Sequence, residues 1–385
     1  MHLLMISLDS SLLGDPHGNT VTRHLEYARR IGAISIVTYN TAVHPQTVQR
    51  LPNNLTVYPT NTWPVLFPWV AYRVAVRIQH AQPVDVITTQ DPFSTGLVGW
   101  LLKRRFELPL DVQNHSHFFE NPYWLAERPL RHRLLYRLGE MVIRNADTVR
   151  VATEREKAAY VKRGVPADRI AVLHPPSYVA RFTEPVPPET LAARRAALGI
   201  APDAPVLLWV GMPGWVKNVE LLLEAYRRVR AAKPETRLVL AGDFSERADL
   251  VQQAQPDGVI FAGRVAHDDL PQFYQMADLY VHSSRYEGVP RVLSEALASG
   301  TPVVSTDHLG ADAVVQAGET GLLTEQTPDA LAKAILELLG DPTRRRTMGR
   351  AGQQDVLTRF DYERQIDAVV NTYQCTLEAA GQKGC

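Results

Sequence analysis

Apolar and polar positions along the chain follow two alternating patterns. Short runs of β-branched and aliphatic residues are each followed by a longer segment in which apolar residues recur with helical period. Such alternation is typical of parallel β-sheets covered by helices, so it predicts the α/β class. In the first half of the chain the predicted strands are residues 2–8, 33–38, 84–88, 110–113, 148–152 and 169–173.

A proline-rich stretch with few apolar residues interrupts this pattern near the middle of the chain. It contains Pro175, Pro176, Pro185, Pro187 and Pro188, and it is the best candidate for a linker. The alternation then restarts, with predicted strands at residues 205–210, 237–241, 259–262, 279–282 and 302–305. A chain of 385 residues with 45% hydrophobic content supplies a core for each of two doubly wound domains.

Charge and composition exclude several classes of protein. The 41 Lys and Arg residues balance the 41 Asp and Glu residues, so no overall field attracts nucleic acid or an anionic membrane. The two cysteines, Cys375 and Cys385, fit a reducing compartment. The apolar N-terminus lacks a basic leader, which favours a buried first strand. The sequence contains no run of about eighteen apolar residues, the length that would predict a membrane span. We therefore expect a cytoplasmic protein, soluble or at most peripheral on the inner face of a membrane.

Loops at the carboxyl ends of the strands are the expected ligand positions in open α/β sheets. Three of them hold unusual residues: 7–18, 211–217 and 283–290. In the third, Pro290 suits the first turn of a helix and Gly300 the position beyond its last turn, which predicts a helix over 290–299.

The start of this predicted helix has the features of an anion site. Its free amides and the flexible Gly288 would hold a phosphate without a metal ion, with Glu287 beside it. A buried Glu295, further along the helix, could accept hydrogen bonds from two hydroxyls of a ribose. Two solvated glutamates are the alternative, but the apolar residues that follow Glu295 argue against a helix that faces solvent.

The spacing of Glu287 and Glu295, within the segment 287–304, resembles the signature of retaining GT-B glycosyltransferases of group 1, also called family 4. The similarity continues through 310–312 and 318–323. It implies two Rossmann-like domains that face a central cleft. The expected domains are an N-terminal acceptor-side domain at 1–178, a C-terminal nucleotide-sugar domain at 179–358, and a helix within 359–385 that crosses back to the first domain.

The resemblance also implies roles for individual residues. Glu287 would contact hydroxyls of the donor sugar, and Glu295 would hold the ribose of the nucleotide. Backbone amides of Gly288, Val289 and Arg291 would receive the diphosphate. Asp312 stands where the family has a glutamate near the sugar, and the reaction would retain the anomeric configuration.

Lys217 follows the first predicted strand of the second domain. A lysine there would place a positive charge on the diphosphate and stabilise the leaving group, whereas a solvated lysine is the alternative. The family usually carries an arginine where this chain has Met212. Arg291 or Arg264 could replace that cation, with Arg291 preferred. Arg264 and Val265 stand in a segment that resembles the one whose backbone contacts the base.

The first domain offers weaker candidates. Gly18 lies where the family has two glycines near the diphosphate and acceptor, although a lone glycine is often only a turn residue. Of His115 and His117, His115 is the better match to a histidine that faces the donor sugar in the family, and a core or surface histidine is the alternative. A zinc site of the two histidines is weaker still, because no third ligand has suitable spacing. Residues 174–178 replace the family's interdomain hinge segment and are expected to affect hinge stiffness.

Aromatic and basic residues also cluster in the first domain. They are Trp63, Phe67, Trp69, Tyr72, Arg73 and Arg77, with a basic helix at 128–144. They could rest at a membrane interface or bind a lipid-linked acceptor, and ordinary packing with a solvated face is the alternative.

These observations together predict transfer of a sugar from a UDP- or GDP-sugar to a hydroxyl of a glycan, lipid-linked or small-molecule acceptor. No metal and no further cofactor is expected, and no nucleic-acid partner. A nucleotide-sugar epimerase of the same two-domain plan and a non-catalytic sugar-nucleotide or glycan-binding protein are the alternatives. A nicotinamide dehydrogenase is disfavoured, because no Gly-x-Gly-x-x-Gly follows a predicted strand.

Overall fold

The structure, a computed structural model, describes residues 1–15, 18–115, 118–119, 121–174 and 179–381. The chain divides into two compact units. Residues 1–176 and 363–385 form the first unit, and residues 177–362 form the second. Each unit is built on one mainly parallel sheet, so the predicted α/β class is confirmed.

The sheet of the first unit has eight strands. They are β1 (His2–Ser7), β2 (Ala33–Thr38), β3 (Gln49–Leu51), β4 (Leu55–Pro59), β5 (Val86–Thr89), β6 (Leu110–Gln113), β7 (Thr148–Val151) and β8 (Ile170–Val172). Their order is β3-β4-β2-β1-β5-β6-β7-β8, and only β3 runs antiparallel to its neighbour. The helices in this part of the chain are α1 (Asn19–Ile31), α2 (Phe67–Ala81), α3 (Ser94–Phe106), α4 (Pro122–Glu127), α5 (Pro129–Asn145) and α6 (Glu154–Lys162).

The second unit has a six-stranded sheet. Its strands are β9 (Val206–Val210), β10 (Arg237–Ala241), β11 (Ile260–Gly263), β12 (Leu279–His282), β13 (Val303–Thr306) and β14 (Gly321–Thr324). Its helices are α7 (Pro188–Ala197), α8 (Val219–Ala232), α9 (Ala248–Ala254), α10 (Leu270–Met276), α11 (Arg291–Ala298), α12 (Pro328–Gly340) and α13 (Pro342–Arg359). The strand order is β11-β10-β9-β12-β13-β14, with every pair parallel.

The predicted strands are all present, with ends that differ by at most two residues. Three strands were not predicted: β3, β4 and β14. The first two form a hairpin whose turn places Asn53 and Asn54 in the left-handed region, each with φ of 57°. Three-residue β3 lacks a β-branched residue, and β14 begins at Gly321, so neither carries a strong strand signal.

A last helix, α14 (Tyr362–Gly381), packs on the sheet of the first unit. Tyr373 accepts a hydrogen bond of 3.0 Å from Arg150, and this arginine also forms an ion pair of 3.1 Å with Asp111. Both charged side chains are buried, so the helix is tied to the sheet through a paired and hydrogen-bonded charge. No helix among the described residues is both long and apolar enough to cross a membrane.

Candidate functional site

The strand order of the second unit reverses between β9 and β12, which places the loops after these two strands side by side. Two hydrogen bonds fix one loop to the other. The backbone amide of Arg285 donates to the carbonyl of Val216 at 2.8 Å, and the hydroxyl of Ser283 donates to the carbonyl of Lys217 at 2.8 Å. Residues that are about 70 positions apart in sequence therefore line one crevice.

Glu287 is the centre of this crevice. Its Oε1 atom accepts hydrogen bonds from Lys217 Nζ at 2.7 Å and from Ser284 Oγ at 2.6 Å. His282 Nε2 lies 3.1 Å from the same oxygen, although the buried imidazole makes no well-formed hydrogen bond with any described residue. The three contacts converge on Oε1, and none of them involves Oε2.

The same contacts decide the charge of Glu287. Burial alone would raise the pKa of its carboxyl, but the contacts with His282 and Lys217 outweigh burial and hold that pKa well below its ordinary range. Glu287 is therefore an anion at neutral pH, strongly stabilised and weakly basic.

Helix α11 begins directly after this loop. Pro290 is its N-cap, with extended backbone at φ −69° and ψ 106°, rather than a residue of the first turn, because the helical hydrogen bonding starts at Arg291. At the other end, Gly300 has φ of +75°, and the amides of Gly300 and Thr301 donate to earlier carbonyls of the helix in a Schellman motif. The glycine stop that the sequence predicts is confirmed.

A glycine, Gly310, allows a close approach of the backbone at this site. Gly310 packs directly against the carbonyl groups of Glu287 and Gly288, where a Cβ atom would overlap the carbonyl oxygen of Gly288. The segment that contains Asp312 is thus held against the loop that contains Glu287, and Asp312 itself is half-buried. The requirement for glycine at 310 is steric, because any side chain would push the two loops apart.

Glu295 lies inside the second unit, with 5% of its surface exposed. Tyr274 donates its hydroxyl to Oε2 at 3.0 Å, and His267 Nε2 lies 3.1 Å from Oε1. The imidazole of His267 is 40% exposed and covers the carboxylate from the loop after β11. A ligand hydroxyl would reach Glu295 by sharing Oε1 with His267 or by displacing it.

The cations that could replace the missing arginine differ in position. Met212, which stands where the family has the arginine, is 65% exposed. Arg291 is the first residue of α11, one turn before Glu295 on the same helix face. Arg264 is exposed after β11, and the half-buried Val265 beside it packs against the core. Arg291 is therefore closer than Arg264 to the amides of the helix start.

Two predicted residues belong to the first unit. Gly18 caps the start of α1, and its amide donates to the carbonyl of Asp15 at 3.0 Å. His115 follows β6 and has an exposed side chain. Desolvation by the surrounding protein, followed by the charges of Arg150 and Arg23, lowers the pKa of His115 to about 4, so the imidazole is neutral at pH 7.

Several predicted features lie outside the described residues. One is His117, and two more are Pro16 and His17, which precede Gly18. The others are Cys385 and residues 175–178, which include the linker prolines Pro175 and Pro176 and most of the hinge segment. Within the described ranges, no group of three His, Cys, Asp or Glu side chains is arranged to hold a metal ion.

Four residues that contact the two glutamates were not among the predicted site residues. Ser284 and His282 contact Glu287, and Tyr274 and His267 contact Glu295. A polar side chain in an otherwise apolar strand is a signal that could have revealed His282. Tyr274 and His267 carry no comparable local signal, because only the packing of α10 and the β11 loop against α11 brings them to Glu295.

Comparisons with known proteins identify the family of this chain. The sequence model described as glycosyl transferases group 1 matches residues 192–355, and that of the glycosyl transferase 4-like domain matches residues 22–176. A D-inositol 3-phosphate glycosyltransferase of Corynebacterium urealyticum is 31% identical over 78% of this chain and 74% of its own length. The chain belongs to the group 1 glycosyltransferases.

The share of the relative's length that is matched differs between a further curated relative and the solved structures. An alpha-monoglucosyldiacylglycerol synthase of Streptococcus pneumoniae is 29% identical, and the match spans 71% of this chain but 63% of the synthase. Among solved structures, a sucrose-phosphate synthase of Thermosynechococcus elongatus has a TM-score of 0.78 and 26% identity, and the match covers 98% of this chain and 99% of the synthase. HepE of Anabaena in complex with UDP-glucose has a TM-score of 0.71 at 20% identity, with 97% of this chain and all of HepE covered. The fold is GT-B.

Proposed function

We propose that this group 1 glycosyltransferase transfers a sugar from a nucleotide diphosphate donor to a hydroxyl of a glycan, lipid-linked or small-molecule acceptor. The transfer retains the anomeric configuration and needs no metal ion. One observation carries the proposal: Lys217, Ser284 and His282 converge on one oxygen of Glu287, directly before the free amides of α11. A carboxylate aimed by three groups, next to an anion site, suits a sugar that is attached to a diphosphate.

In this proposal the diphosphate lies on the amides of Gly288, Val289 and Arg291. An ammonium group has three protons to donate, and Lys217 uses one on Glu287. The remaining two can reach phosphate oxygens, so one lysine would orient the carboxylate and stabilise the charge that develops on the leaving group. This double use offers a reason why the chain functions with Met212 in place of an arginine, helped by the Arg291 side chain.

The chemical step forms a bond between the acceptor oxygen and the anomeric carbon, on the face from which the nucleoside diphosphate departs. The anomeric carbon–oxygen bond to the diphosphate breaks, and the proton of the acceptor hydroxyl leaves with the diphosphate. Glu287 orients sugar hydroxyls through Oε2 and is not the nucleophile, because a carboxylate whose pKa is held this low is a poor base and a poor nucleophile. Asp312 would add a contact to the sugar from the segment that packs on this loop.

The nucleoside would extend from the diphosphate toward Glu295, with the ribose hydroxyls sharing its carboxylate and the base against the backbone of Arg264 and Val265. Gly18 and His115 of the first unit keep, in this proposal, the roles that the family resemblance implies for them. HepE binds UDP-glucose, so uridine diphosphate and its sugars are the first donors to test, followed by guanosine diphosphate sugars.

A thermal-shift screen tests the donor site, since a ligand that binds only the folded state raises its melting temperature. We expect one nucleoside diphosphate and its sugar to stabilise the wild type, and Glu287→Gln and Glu295→Gln to weaken this effect. Transfer to acceptor mixtures, with the product anomer assigned by NMR and with chelator present, then tests retention and metal independence. Release of free nucleotide from donor alone, with no acceptor, would instead identify an epimerase, and binding without turnover a non-catalytic protein.

A further inference from the structure

Large apolar side chains project into solvent where α2 begins. Trp63 is 57% exposed, Val65 84%, Leu66 48% and Trp69 58%. The opposite side of the helix is buried, with Phe67 only 1% exposed. Ordinary packing therefore accounts for Phe67 but not for the other four residues. Exposed apolar side chains that are grouped in this way indicate an interaction surface rather than a core.

Arginines continue this surface along α2. The Arg73 guanidinium lies 4.7 Å from the centre of the Trp69 ring, and Arg77 is exposed one turn further along the same face. From residue 27 to residue 84 the chain contains no Asp or Glu. We call Trp63, Val65, Leu66, Trp69, Arg73 and Arg77 the tryptophan–arginine patch.

Helix α5, which is connected to α2 through α3, also combines exposed apolar side chains with basic residues. Helix α3 packs against both α2 and α5. On α5, Leu130 is 86% exposed and Leu134 is 72% exposed. These two leucines stand among the basic residues Arg128, Arg131, Arg133 and Arg137.

Charge is divided unequally between the two units. The first unit has 22 Lys and Arg residues against 17 Asp and Glu, whereas the second has 19 against 24. The neutral total of the whole chain, which suggests no attraction to an anionic membrane, therefore hides a basic first unit. A sign asymmetry of this kind is typical of proteins that bind polyanionic surfaces.

We propose that the tryptophan–arginine patch binds the surface of a lipid bilayer that contains anionic lipids. Tryptophan favours the headgroup region, where its ring meets apolar chains and its N–H meets water. Val65 and Leu66 would insert between headgroups, while Arg73 and Arg77 pair with lipid phosphates. The four exposed apolar side chains at the start of α2 are followed along the same helix by two arginines. This arrangement suits shallow insertion among lipid headgroups, with the arginines at the phosphates.

The test uses the whole chain and vesicles of phosphatidylcholine, with and without phosphatidylglycerol, in flotation and titration experiments. We expect the wild type to bind the anionic vesicles, with a shift of tryptophan emission to shorter wavelength, and binding to weaken as salt is raised. Arg73→Gln with Arg77→Gln should reduce partitioning about thirtyfold, which corresponds to about 1 kcal/mol for each arginine. Val65→Asp with Leu66→Asp should reduce it at least about tenfold.

The matched control is Arg346→Gln with Arg350→Gln, which removes two exposed arginines from the second unit and should leave vesicle binding unchanged. Thermal unfolding of each variant checks that the fold is intact. If the control pair lost as much vesicle binding as the Arg73→Gln, Arg77→Gln variant, the binding would reflect general charge attraction and the proposal for the patch would be wrong. Absence of vesicle binding by the wild type would also overturn it, as would self-association that the patch variants abolish. Because vesicle binding needs neither donor nor acceptor, these outcomes are separate from those that test sugar transfer.

Discussion

Removal of Lys217 separates the two roles proposed for this residue. Nζ lies 2.7 Å from Glu287 Oε1, and the two side chains are 24% and 18% exposed. At an effective dielectric constant of about 20, unit charges at this distance interact by about 6 kcal/mol, most of which desolvation offsets. We therefore expect a net coupling of about 1–3 kcal/mol between the two residues in a double-mutant cycle of stability. If Lys217 also stabilises the leaving diphosphate, Lys217→Met should lower kcat by about 100- to 1,000-fold.

Single-turnover rates at saturating donor, measured for Lys217→Met, Glu287→Gln and the double variant, distinguish these roles. A lysine that contacts the diphosphate should still affect the rate when residue 287 is glutamine, by at least about tenfold. If the double variant reacts as fast as Glu287→Gln alone, Lys217 only positions the carboxylate. Lys333→Met, an exposed lysine on α12, is the matched control and should react like the wild type. A rate for Lys217→Met within twofold of the wild type would refute the assignment of this loop as the donor site.

Three further predictions concern stability and loop packing. The folded-state pKa of Glu287 lies below its unfolded value of about 4.3, so the ionised carboxylate stabilises the fold fully above that pH and progressively less below it. In urea titrations between pH 5 and pH 3, the free energy of unfolding of the wild type should therefore fall by about 1–2 kcal/mol more than that of Glu287→Gln. Arg150→Met leaves a buried carboxylate unpaired and should lower the free energy of unfolding by about 3–5 kcal/mol, whereas the exposed Arg144→Met should change it by less than about 0.5 kcal/mol. Gly310→Ala should weaken donor binding, measured by calorimetry, at least about tenfold, because the added methyl group overlaps the loop that contains Glu287. Gly340→Ala is the control, since there is open space around Gly340, and it should bind the donor like the wild type. Equal affinities for the two variants would contradict the proposed loop contact.

The elements that could be predicted from sequence share one property: their signal is local. Strand β9 is a continuous apolar run. The end of α11 is marked by Gly300, because the backbone there adopts a left-handed conformation that favours glycine. The hairpin of β3 and β4 was missed because its strands are short and because the pairing of β4 with β2 is not visible in the local sequence. Packing with a distant segment overrides weak local preference in such elements.

The sequence by itself determined the α/β class, the two sheets and the acidic pair of Glu287 and Glu295, because hydrophobic periodicity and helix signals depend only on neighbours along the chain. The tertiary structure alone decided that Lys217, Ser284 and His282 meet at one oxygen of Glu287, and that Tyr274 and His267 meet at Glu295. These contacts depend on the order of strands in the sheet. That order follows from the packing of helices on both faces of the sheet, which no short stretch of sequence specifies.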